Sequence, residues 1–598
     1  MDDDLSLPRL VMRGALHGAA LGLLVGGLEA LPLGVLVTMQ LSIGGLLALV
    51  ATAAISFGIL GFLVAFLVGW PIHLLLRRVV VSRALSLQLA TTGLVLVGYL
   101  FGGFAVDEWI NGRAWAAVFL AALPIFLFAT IFLLSGRLYR MGEFGQKAPI
   151  GFWPAALGGM VVLQAAGVGL SLSRDTGGRG ALQSDPRFVV IAVDGLRADL
   201  GSAETPNIDR LVTDGAVFTQ VITPTPDPAG AIASLLTGLP PTTHQVLRPD
   251  DHLLRARGLL SATLSSEGYA VGGFVSDPAI GAWRGFGHGY QIYDDARFAA
   301  LPGLSRQRIV GDLGRLLGYF SDPRTGAATV DAFLAWQAAH ADLPTFALVQ
   351  LREPRTPFVA HGLPGYEANG TPDAPLVDHA ARIRERRTSY DATEVRTLRR
   401  LYREEVAYVD LQVGRILEGI EATGHADNTV VVLVGTGGQH LGEHGLWDTS
   451  GLRDEVVHVP LVLKVPGVGR GGVVTSQTRL LDVFPTVLEH AEIEPRHEAQ
   501  ALSVLGFFDG SRKVGLAAPL AGQDEEGRWL AGRRTGGMKY IRTLSTGDEL
   551  LFDIDEDPEE DHDLASEGAE AILGPRRETD RDARRLAALL GVTLVSVD

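Results

Sequence analysis

The sequence predicts an α/β protein with three parts: a five-helix transmembrane region, a doubly wound sheet, and a small C-terminal antiparallel subdomain. Three observations support this prediction. Five long apolar runs fill the first 175 residues. Short apolar runs then alternate with amphipathic stretches. Glycine-rich short strands at 527–560 precede a helix at 576–590. We place the domains at 1–175, 176–490 and 491–598.

Each of the five apolar runs is long enough to cross about 30 Å of hydrocarbon as a helix. The runs cover residues 15–37, 43–70, 84–106, 114–134 and 150–172. Basic residues cluster at the N-terminus and in the second-to-third and fourth-to-fifth loops, whereas the other two loops contain only Arg113. Because positive loops stay in the cytoplasm, we expect a multi-pass protein of the bacterial inner (cell) membrane. Its N-terminus is cytoplasmic and its C-terminal domain is periplasmic or extracellular.

Glu29 lies inside the first apolar run. A carboxylate in lipid marks a candidate functional site. The alternative is a residue near an aqueous end of the helix, beside the break at Pro32. On the first interpretation the membrane region itself binds a lipid or a small solute, and the outer domain caps it.

Composition excludes several classes of function. The 598 residues contain no cysteine, which excludes a disulfide framework, a thiolate metal site and a cysteine nucleophile. The formal net charge is −16, and the part after the membrane region carries 41 Lys and Arg against 59 Asp and Glu. Such an acidic domain is poorly suited to phosphate contacts, so we expect no nucleic-acid partner.

Five short runs have the length and the β-branched content of buried parallel strands. They are FVVIAV (188–193), AVGGFVS (270–276), TFALVQL (345–351), TVVVLVG (429–435) and PLVLKV (460–465). Helical stretches separate them, and 402–424 has an apolar face. Ligands of such sheets bind beyond the carboxyl ends of the strands. The informative positions are therefore Asp194, 350–355 and 435–438.

A series of motifs follows in a characteristic order over roughly 186–565. They are VDGLRADL, TPNIDRLVTDGAVF, ASLLTGLPPTTHQV, GYAVGGFVSDPAI, YREEVAYVDLQVGRIL, DNTVVVLV, LGEHGLW, VPLVLKVPG and KYIRTLSTGDELLFDIDEDPEE. Together they resemble the sulfatase-like branch of the alkaline phosphatase superfamily. The resemblance implies an alkaline-phosphatase-like sheet. It also implies ester cleavage with a divalent metal, a nucleophile beside the metal, and basic groups around the sulfuryl or phosphoryl oxygens.

The family's metal positions are mostly replaced in this chain. Asp194 retains the first carboxylate, and Gly195 follows where many sulfatases have an acid, a position at which other branches of the superfamily also lack one. In GTGGQHLGEHG (435–445), the ungapped register places Thr436 and Gly437 at the positions of an Asp-His pair. Thr436 is thus a degenerate metal position, with a neutral hydroxyl in place of a carboxylate.

The nucleophile and its basic neighbours are replaced as well. The nucleophile position falls on Pro228, which has no side-chain oxygen. A slip of two or three residues would bring Thr225 there as a fallback nucleophile; the alternative is a turn made rigid by proline. In QLREPR (350–355), Gln350 and Arg355 stand where the family has histidines, and Arg355 keeps a cation suited to anion binding.

We therefore expect a membrane-anchored pseudoenzyme that binds or scaffolds, with no cofactor. The alternative is an active hydrolase or transferase of sulfuric or phosphoric esters with a rebuilt site for Ca, Mg, Mn or Zn. Its side chains would come from Asp194, Thr225 or Thr436, and His440 or His444. Expected partners are membrane lipid, a protein, and an anionic glycan or lipid headgroup. The arginine-rich stretch 379–405 would hold the anionic ligand. The alternative, favoured by the acids interleaved in this stretch, is a solvated face whose arginines form salt bridges with those acids.

Overall fold

The structure is a computed structural model that describes residues 184–199, 204–248, 251–253, 258–295, 324–366, 390–468, 471–567 and 569–595. Residues 12, 15–16, 19, 62–63, 66–67 and 182 are described as well. The five predicted membrane spans lie outside these residues except at a few positions of the first two, and Glu29 lies outside them entirely. Among the described residues, no helix is both long and apolar enough to cross a membrane. The described residues from 182 onward belong to one compact unit.

Nine strands of the described residues form the main sheet. They are β1 (Arg187–Asp194), β2 (Ala216–Ile222), β3 (Ala270–Val275), β4 (Ile292–Asp294), β5 (Thr345–Leu351), β6 (Thr429–Gly437), β7 (His458–Lys464), β8 (Gly472–Val474) and β9 (Thr478–Arg479). The order is β4-β3-β5-β1-β6-β7-β2-β8, with β9 beside β2. β1 lies between β5 and β6 and is parallel to both.

All five predicted strands are present within one or two residues of their predicted bounds. The direction of the last was wrong: β7 is antiparallel to β6. A parallel return needs a crossover connection along the sheet. Between β6 and β7 the chain makes only a 3₁₀ turn at Glu443–Gly445 and one short helix at Asp454–Val457, so it returns along the neighbouring strand.

Ten α-helices accompany the two sheets of the described chain. They are α1 (Pro206–Asp214), α2 (Pro228–Thr237), α3 (Pro241–His244), α4 (Leu260–Ser266), α5 (Gly326–Ala339), α6 (Ala392–Ala422), α7 (Asp454–Val457), α8 (Val483–His490), α9 (Gly506–Asp509) and α10 (Ala569–Leu590). Short 3₁₀ helices lie at Pro278–Ile280, Ala282–Arg284, Ala426–Asn428, Glu443–Gly445, Leu480–Asp482 and Leu564–Glu567.

Alternate residues of β1 enter two separate cores, as a doubly wound sheet requires. Phe188, Val190 and Ala192 pack with residues of α2, α4 and α8. Val189, Ile191 and Val193 pack with residues of α1, α5 and α6 on the opposite face. The predicted helix at 402–424 is α6, which begins ten residues earlier because Asp391 and Glu394 form a capping box.

The predicted C-terminal antiparallel sheet has four strands, β10 (Ala518–Gln523), β11 (Trp529–Thr535), β12 (Met538–Thr543) and β13 (Glu549–Asp553). It begins nine residues before the predicted stretch. The final helix α10 buries Ala583, Leu586 and Ala587 in an apolar cluster with residues of β10 and β11. Lys539 of β12 is fully buried and pairs with Asp454 and Glu560, which joins the small sheet to the connection that precedes β7.

Candidate functional site

Three predicted site residues meet at the carboxyl edge of the main sheet. Asp194 ends β1, Thr436 lies near the end of β6, and Arg355 follows β5. Neighbouring parallel strands have their carboxyl ends at the same edge of a sheet. Arg355 Nη1 lies 3.1 Å from Oδ2 of Asp194, and the Thr436 hydroxyl donates a hydrogen bond of 3.3 Å to Oδ1. Both carboxylate oxygens of Asp194 therefore have protein partners.

Two further carboxylates lie around the Arg355 guanidinium. Asp277 follows β3, and its Oδ2 atom is 3.7 Å from Arg355 Nη1. Asp227 caps α2, where its Oδ1 atom accepts a hydrogen bond of 2.9 Å from the Gly230 N–H. Burial lowers the pKa of Arg355, but the charges of the three aspartates outweigh that effect and leave the pKa raised. Arg355 thus serves as counter-ion to a group of three carboxylates, and the charges of Arg352 and Arg284 also act on Asp194 and Asp227, respectively.

The Asp194 carboxylate is strongly desolvated. Its side chain is 1% exposed, against 24% for Arg355. Burial raises the pKa of Asp194 to about 6, because the charge of Arg355 offsets only part of the desolvation and Asp277 opposes ionisation. Burial also raises the pKa of Asp227, although the Gly230 N–H and Arg355 favour its charged form. The ionised form of Asp194 therefore depends on Arg355.

The second acidic position of the family is closed by the backbone of Arg355. Gly195 has a φ of +78°, and a Cβ atom there would lie 2.7 Å from Arg355 Cα and 2.8 Å from Arg355 N. Contacts this short with backbone atoms cannot be relieved by a rotamer change. A carboxylate at position 195 is incompatible with the present course of the chain, so its absence is part of the local fold.

We expect Gly195→Ala to lower the free energy of unfolding by about 2–4 kcal/mol, because a left-handed φ and a backbone clash add together. Gly467→Ala is the matched control. Gly467 has a φ of +76° but nothing within 4 Å of its Cβ position, so only the conformational cost of about 1 kcal/mol remains. Chemical denaturation of the full-length chain measures both. Equal losses in the two variants would show that Arg355 does not crowd position 195.

The predicted nucleophile positions contain no activated hydroxyl. Pro228 is the first residue of α2 and is buried. The Thr225 hydroxyl, also buried, accepts a hydrogen bond of 3.3 Å from the Asp227 N–H. The Thr223 hydroxyl lies 3.0 Å from the Thr225 carbonyl oxygen and 2.8 Å from that of Thr436, which holds the Thr225 segment beside β6. Thr225 is therefore near the site, with its hydroxyl used to shape the turn.

The residues at this edge do not fit the family's divalent metal. A hard cation needs several oxygen ligands, mostly carboxylates. Asp194 is bound to Arg355 and Thr436, Asp277 lies 3.7 Å from the same arginine, and Asp227 caps α2. Gly195 and Gly437 offer no side chain. Across the parts of the chain that the structure describes, no group of three or more His, Asp or Glu side chains is arranged to hold an ion.

Two glutamine side chains, Gln350 and Gln439, lie close to the residues of the ion pair. Gln350, at a histidine position of the family, accepts hydrogen bonds of 3.0 Å from the N–H groups of Ser276 and Asp277. Gln439 accepts a bond of 3.0 Å from the Thr356 N–H and donates one of 2.7 Å to the Pro354 carbonyl. Both glutamines therefore brace the loops that present Asp277 and Arg355.

His440 and His444 do not form the i, i+4 pair of an α-helix. His444 has a φ of +52° within the 3₁₀ turn, and the ring centroids are 6.3 Å apart. His440 Nε2 lies 3.0 Å from the Ser450 carbonyl oxygen, and His444 Nε2 lies 3.3 Å from Glu455. Burial lowers the pKa of His440. Both imidazoles therefore have structural partners, and both face the charge of Glu455.

Sequence reasoning missed Asp227 and Asp277, although each had a local signal. Asp277 lies just beyond the end of β3, at the sheet edge where Asp194 ends β1. The rule that ligands bind beyond the carboxyl ends of parallel strands therefore applied to Asp277 as well. Asp227 precedes a proline at a helix start, which is the pattern of an N-cap followed by proline at the first helical position.

A family model described as Sulfatase matches residues 186–493, just over half of the 598 residues. The chain is similar to a sulfatase of Formosa agariphila, at 24% identity over 422 residues that cover 63% of this chain and 82% of that protein. An ulvan-active sulfatase of the same species is 25% identical over 69% of this chain and 83% of its own. These matches confirm the resemblance of the α/β part.

Solved structures show the same fold. The phosphonate monoester hydrolase of Agrobacterium radiobacter has a TM-score of 0.51 and 21% identity, over 68% of this chain and 95% of its own. A 2-O GAG sulfatase has a TM-score of 0.54 and 18% identity, over 69% of this chain and 95% of its own. At these identities the likeness establishes an alkaline-phosphatase-like α/β fold and says nothing about turnover.

Proposed function

Because the chain belongs to the sulfatase family, we propose that it is a member that has kept the fold, lost ester hydrolysis, and acts by binding. One observation carries the proposal: the Arg355 guanidinium, 3.1 Å from Asp194, supplies the positive charge that a metal supplies in an active member. A fixed cation neutralises the carboxylate but cannot lower the pKa of a nucleophile by coordination, as a metal does. The site is thereby stable and chemically inert.

The surroundings of this ion pair support the proposal. The backbone of Arg355 fills the space beside Gly195, which removes the room for a second metal-binding carboxylate. Pro228 begins α2 at the nucleophile position, and the Thr225 hydroxyl is engaged by the Asp227 N–H. Loss of the nucleophile together with the metal positions is expected where binding is the remaining function.

We further propose that the protein is anchored in the bacterial cell membrane, with its N-terminus in the cytoplasm and the sulfatase-family domain on the outer side. The five apolar runs and the basic loops between them support this proposal. The proposed partners are membrane lipid, an anionic ligand and a second protein. A domain held at the membrane would present its binding surface to the periplasm or to the cell exterior.

Turnover by the full-length protein tests the proposal. We expect no release of nitrophenol from aryl sulfates, phosphate mono- and diesters or phosphonate monoesters above the rate measured with Asp194→Ala, in the presence of Ca²⁺, Mg²⁺, Mn²⁺ or Zn²⁺. An active sulfatase assayed in parallel verifies each substrate. Turnover that Asp194→Ala abolishes and Arg355→Lys alters would contradict the proposal and would support a rebuilt active site.

A further inference from the structure

Two buried glutamates of α6 hold the part of the chain that carries Arg355. This part, residues 352–366, follows β5 and is named the Arg355 segment. Glu404 and Glu405 are each 1% exposed. Their carboxylates accept three hydrogen bonds of 2.6, 2.8 and 3.1 Å from the segment, donated by the N–H groups of Val359, His361 and Leu363. The sequence predicted a solvated face for these acids, and their burial shows that this was wrong at both positions.

Three side-chain atoms at this contact are buried and have no hydrogen-bond partner among the described residues. They are Oε2 of Glu405, Oε2 of Glu353 and Nε2 of His361. His361 Nε2 lies 3.9 Å from Glu405 Oε1, and the His361 ring stacks on Tyr408 with the ring centroids 3.7 Å apart. A Cβ atom on Gly326 would lie 3.4 Å from Tyr408 and 3.2 Å from Glu353 Oε2, so Glu353 is beside the same tyrosine. The three atoms therefore share one buried environment.

The acids of this environment outnumber its cations. The titratable groups that face Glu405 are Tyr402 and Glu404 of α6, and Arg352, Glu353 and His361 of the Arg355 segment. The charge of Arg352 acts on both Glu353 and Glu405, and Arg400 Nη1 lies 3.9 Å from Glu404 Oε2. Within the described chain, three carboxyl groups thus share two arginines. A buried carboxyl group without a cation of its own is more stable when it keeps its proton.

Burial favours that protonated form. It raises the pKa of Glu405 well above the ordinary value of 4.5, and the charge of Glu353 raises it further, whereas the Val359 N–H and Arg352 lower it. Burial also raises the pKa of Glu353 and lowers that of His361. The carboxyl groups therefore bind a proton more readily than the imidazole does.

We propose that one proton, shared between Glu405 and Glu353, holds the Arg355 segment on α6, and that the segment opens more often as the pH rises. The proton removes one of two facing negative charges and supplies an O–H donor to the oxygen of the other carboxyl group. When both groups are ionised, two buried like charges repel each other across the contact between α6 and the segment. The inference rests on the proposed binding function and adds its regulation, because each opening carries Arg355 away from Asp194.

The direction of the pH dependence follows from proton linkage. A carboxyl group whose pKa is raised in the docked segment binds more protons there than in the open segment. Docking by Glu405 therefore weakens as the pH rises from the ordinary pKa of 4.5 toward the raised pKa, and then reaches a constant level. One proton changes the opening equilibrium by at most about tenfold per pH unit.

Asp194 contributes a pH dependence of the opposite sign. It loses the charge of Arg355 when the segment opens, so the open state binds the additional proton at Asp194. A comparison of a Glu405 variant with the wild type removes this contribution, because Asp194 and Arg355 are present in both. The quantity to measure is therefore the ratio of amide protection in the two proteins.

Hydrogen exchange of the full-length protein measures the opening, at pH values from about 5 to about 9. Glu405→Gln keeps a neutral side chain that both donates and accepts. We expect the protection of residues 352–366 in Glu405→Gln, divided by that in the wild type, to increase with pH by up to about tenfold per unit and then to level off. Glu418→Gln is the matched control, since Glu418 is exposed on the same helix, and its ratio should stay constant.

A ratio for Glu405→Gln that does not change with pH would overturn the inference. Glu353→Gln supplies a second test in a protein whose α6 is unaltered: it removes one of the two like charges and should raise protection at the upper end of the pH range. Protection equal to the wild type there would also overturn the inference. Ester turnover is measured in the same samples. Turnover would refute the proposed loss of chemistry and leave the proton-held segment standing, whereas a constant ratio without turnover would refute the segment alone.

Discussion

Lys539→Met is expected to lower the free energy of unfolding by about 3–5 kcal/mol, because it leaves buried carboxylates without their cation. Lys539 is fully buried, its Nζ donates a hydrogen bond of 2.7 Å to Asp454 Oδ1, and it also pairs with Glu560. Glu560 in turn accepts a bond of 3.0 Å from the Asp454 N–H. These contacts join β12 to the helix that precedes β7.

The two carboxyl groups respond differently to the same lysine. Burial raises the pKa of Asp454, but the charges of Lys539 and Arg534 outweigh it and lower the pKa. Burial raises the pKa of Glu560 more than Lys539 lowers it. Arg534 lies 3.2 Å from Asp454 and remains in the variant, so Asp454 keeps a cation. Glu560 therefore loses more of its compensating positive charge than Asp454 does.

Chemical denaturation of the full-length chain measures this loss. Lys513→Met is the control, since Lys513 is exposed and its replacement should change stability by less than about 0.5 kcal/mol. Glu560→Gln combined with Lys539→Met should recover part of the loss, because it removes a carboxylate that the single variant leaves unpaired. Equal stability of the Lys513 and Lys539 variants would contradict a structural role for the network.

Arg355→Ala is expected to lower the free energy of unfolding by about 2–4 kcal/mol at neutral pH. The value is below that of a fully buried pair because Arg355 is 24% exposed. The loss comes from Asp194, which is 1% exposed and then retains, among its direct partners in the described chain, only the Thr436 hydroxyl bond. Arg355→Lys keeps the positive charge but not the planar guanidinium group, so its free energy of unfolding should fall by less than that of Arg355→Ala.

The pH dependence identifies the cause of this loss. Burial raises the pKa of Asp194 to about 6, and removal of Arg355 raises it further. A carboxyl whose pKa is higher in the folded state binds extra protons there, so its contribution to stability falls as the pH rises through that pKa. The deficit of Arg355→Ala should therefore be largest above pH 7 and should shrink as the pH falls through 6 toward 5. A deficit that is independent of pH would show that Arg355 acts through packing.

The sequence pattern was sufficient to locate the central strands, because their apolar runs are too short for most buried helices and contain β-branched residues. The edge of the sheet was not predictable in the same way. β2 includes half-exposed Val217 and Gln220 and exposed Thr219 among its buried residues, and β8 and β9 have three and two residues. Strands this short gain their stability from neighbours that a local pattern does not reveal.

The candidate site was predictable where a residue lies at or shortly beyond the carboxyl end of a strand. Asp194, Arg355 and Thr436 come from β1, β5 and β6, which are adjacent in space, and the strand-end rule brings them together. It could not reveal that the guanidinium pairs with the carboxylate, since that depends on the conformation of the loop after β5. Nor could it reveal that the Arg355 backbone closes the space beside Gly195.

Metal binding by the full-length protein tests most directly whether Arg355 has replaced the metal of the sulfatase family. The measurement is metal content after purification, followed by equilibrium dialysis against Ca²⁺, Mg²⁺, Mn²⁺ and Zn²⁺, with Asp194→Ala in parallel. We expect no stoichiometric metal in either protein and the same weak binding in both, because Asp194 is paired with Arg355 at 3.1 Å. One equivalent of metal in the wild type that is absent from Asp194→Ala would contradict this account and identify an active metal centre.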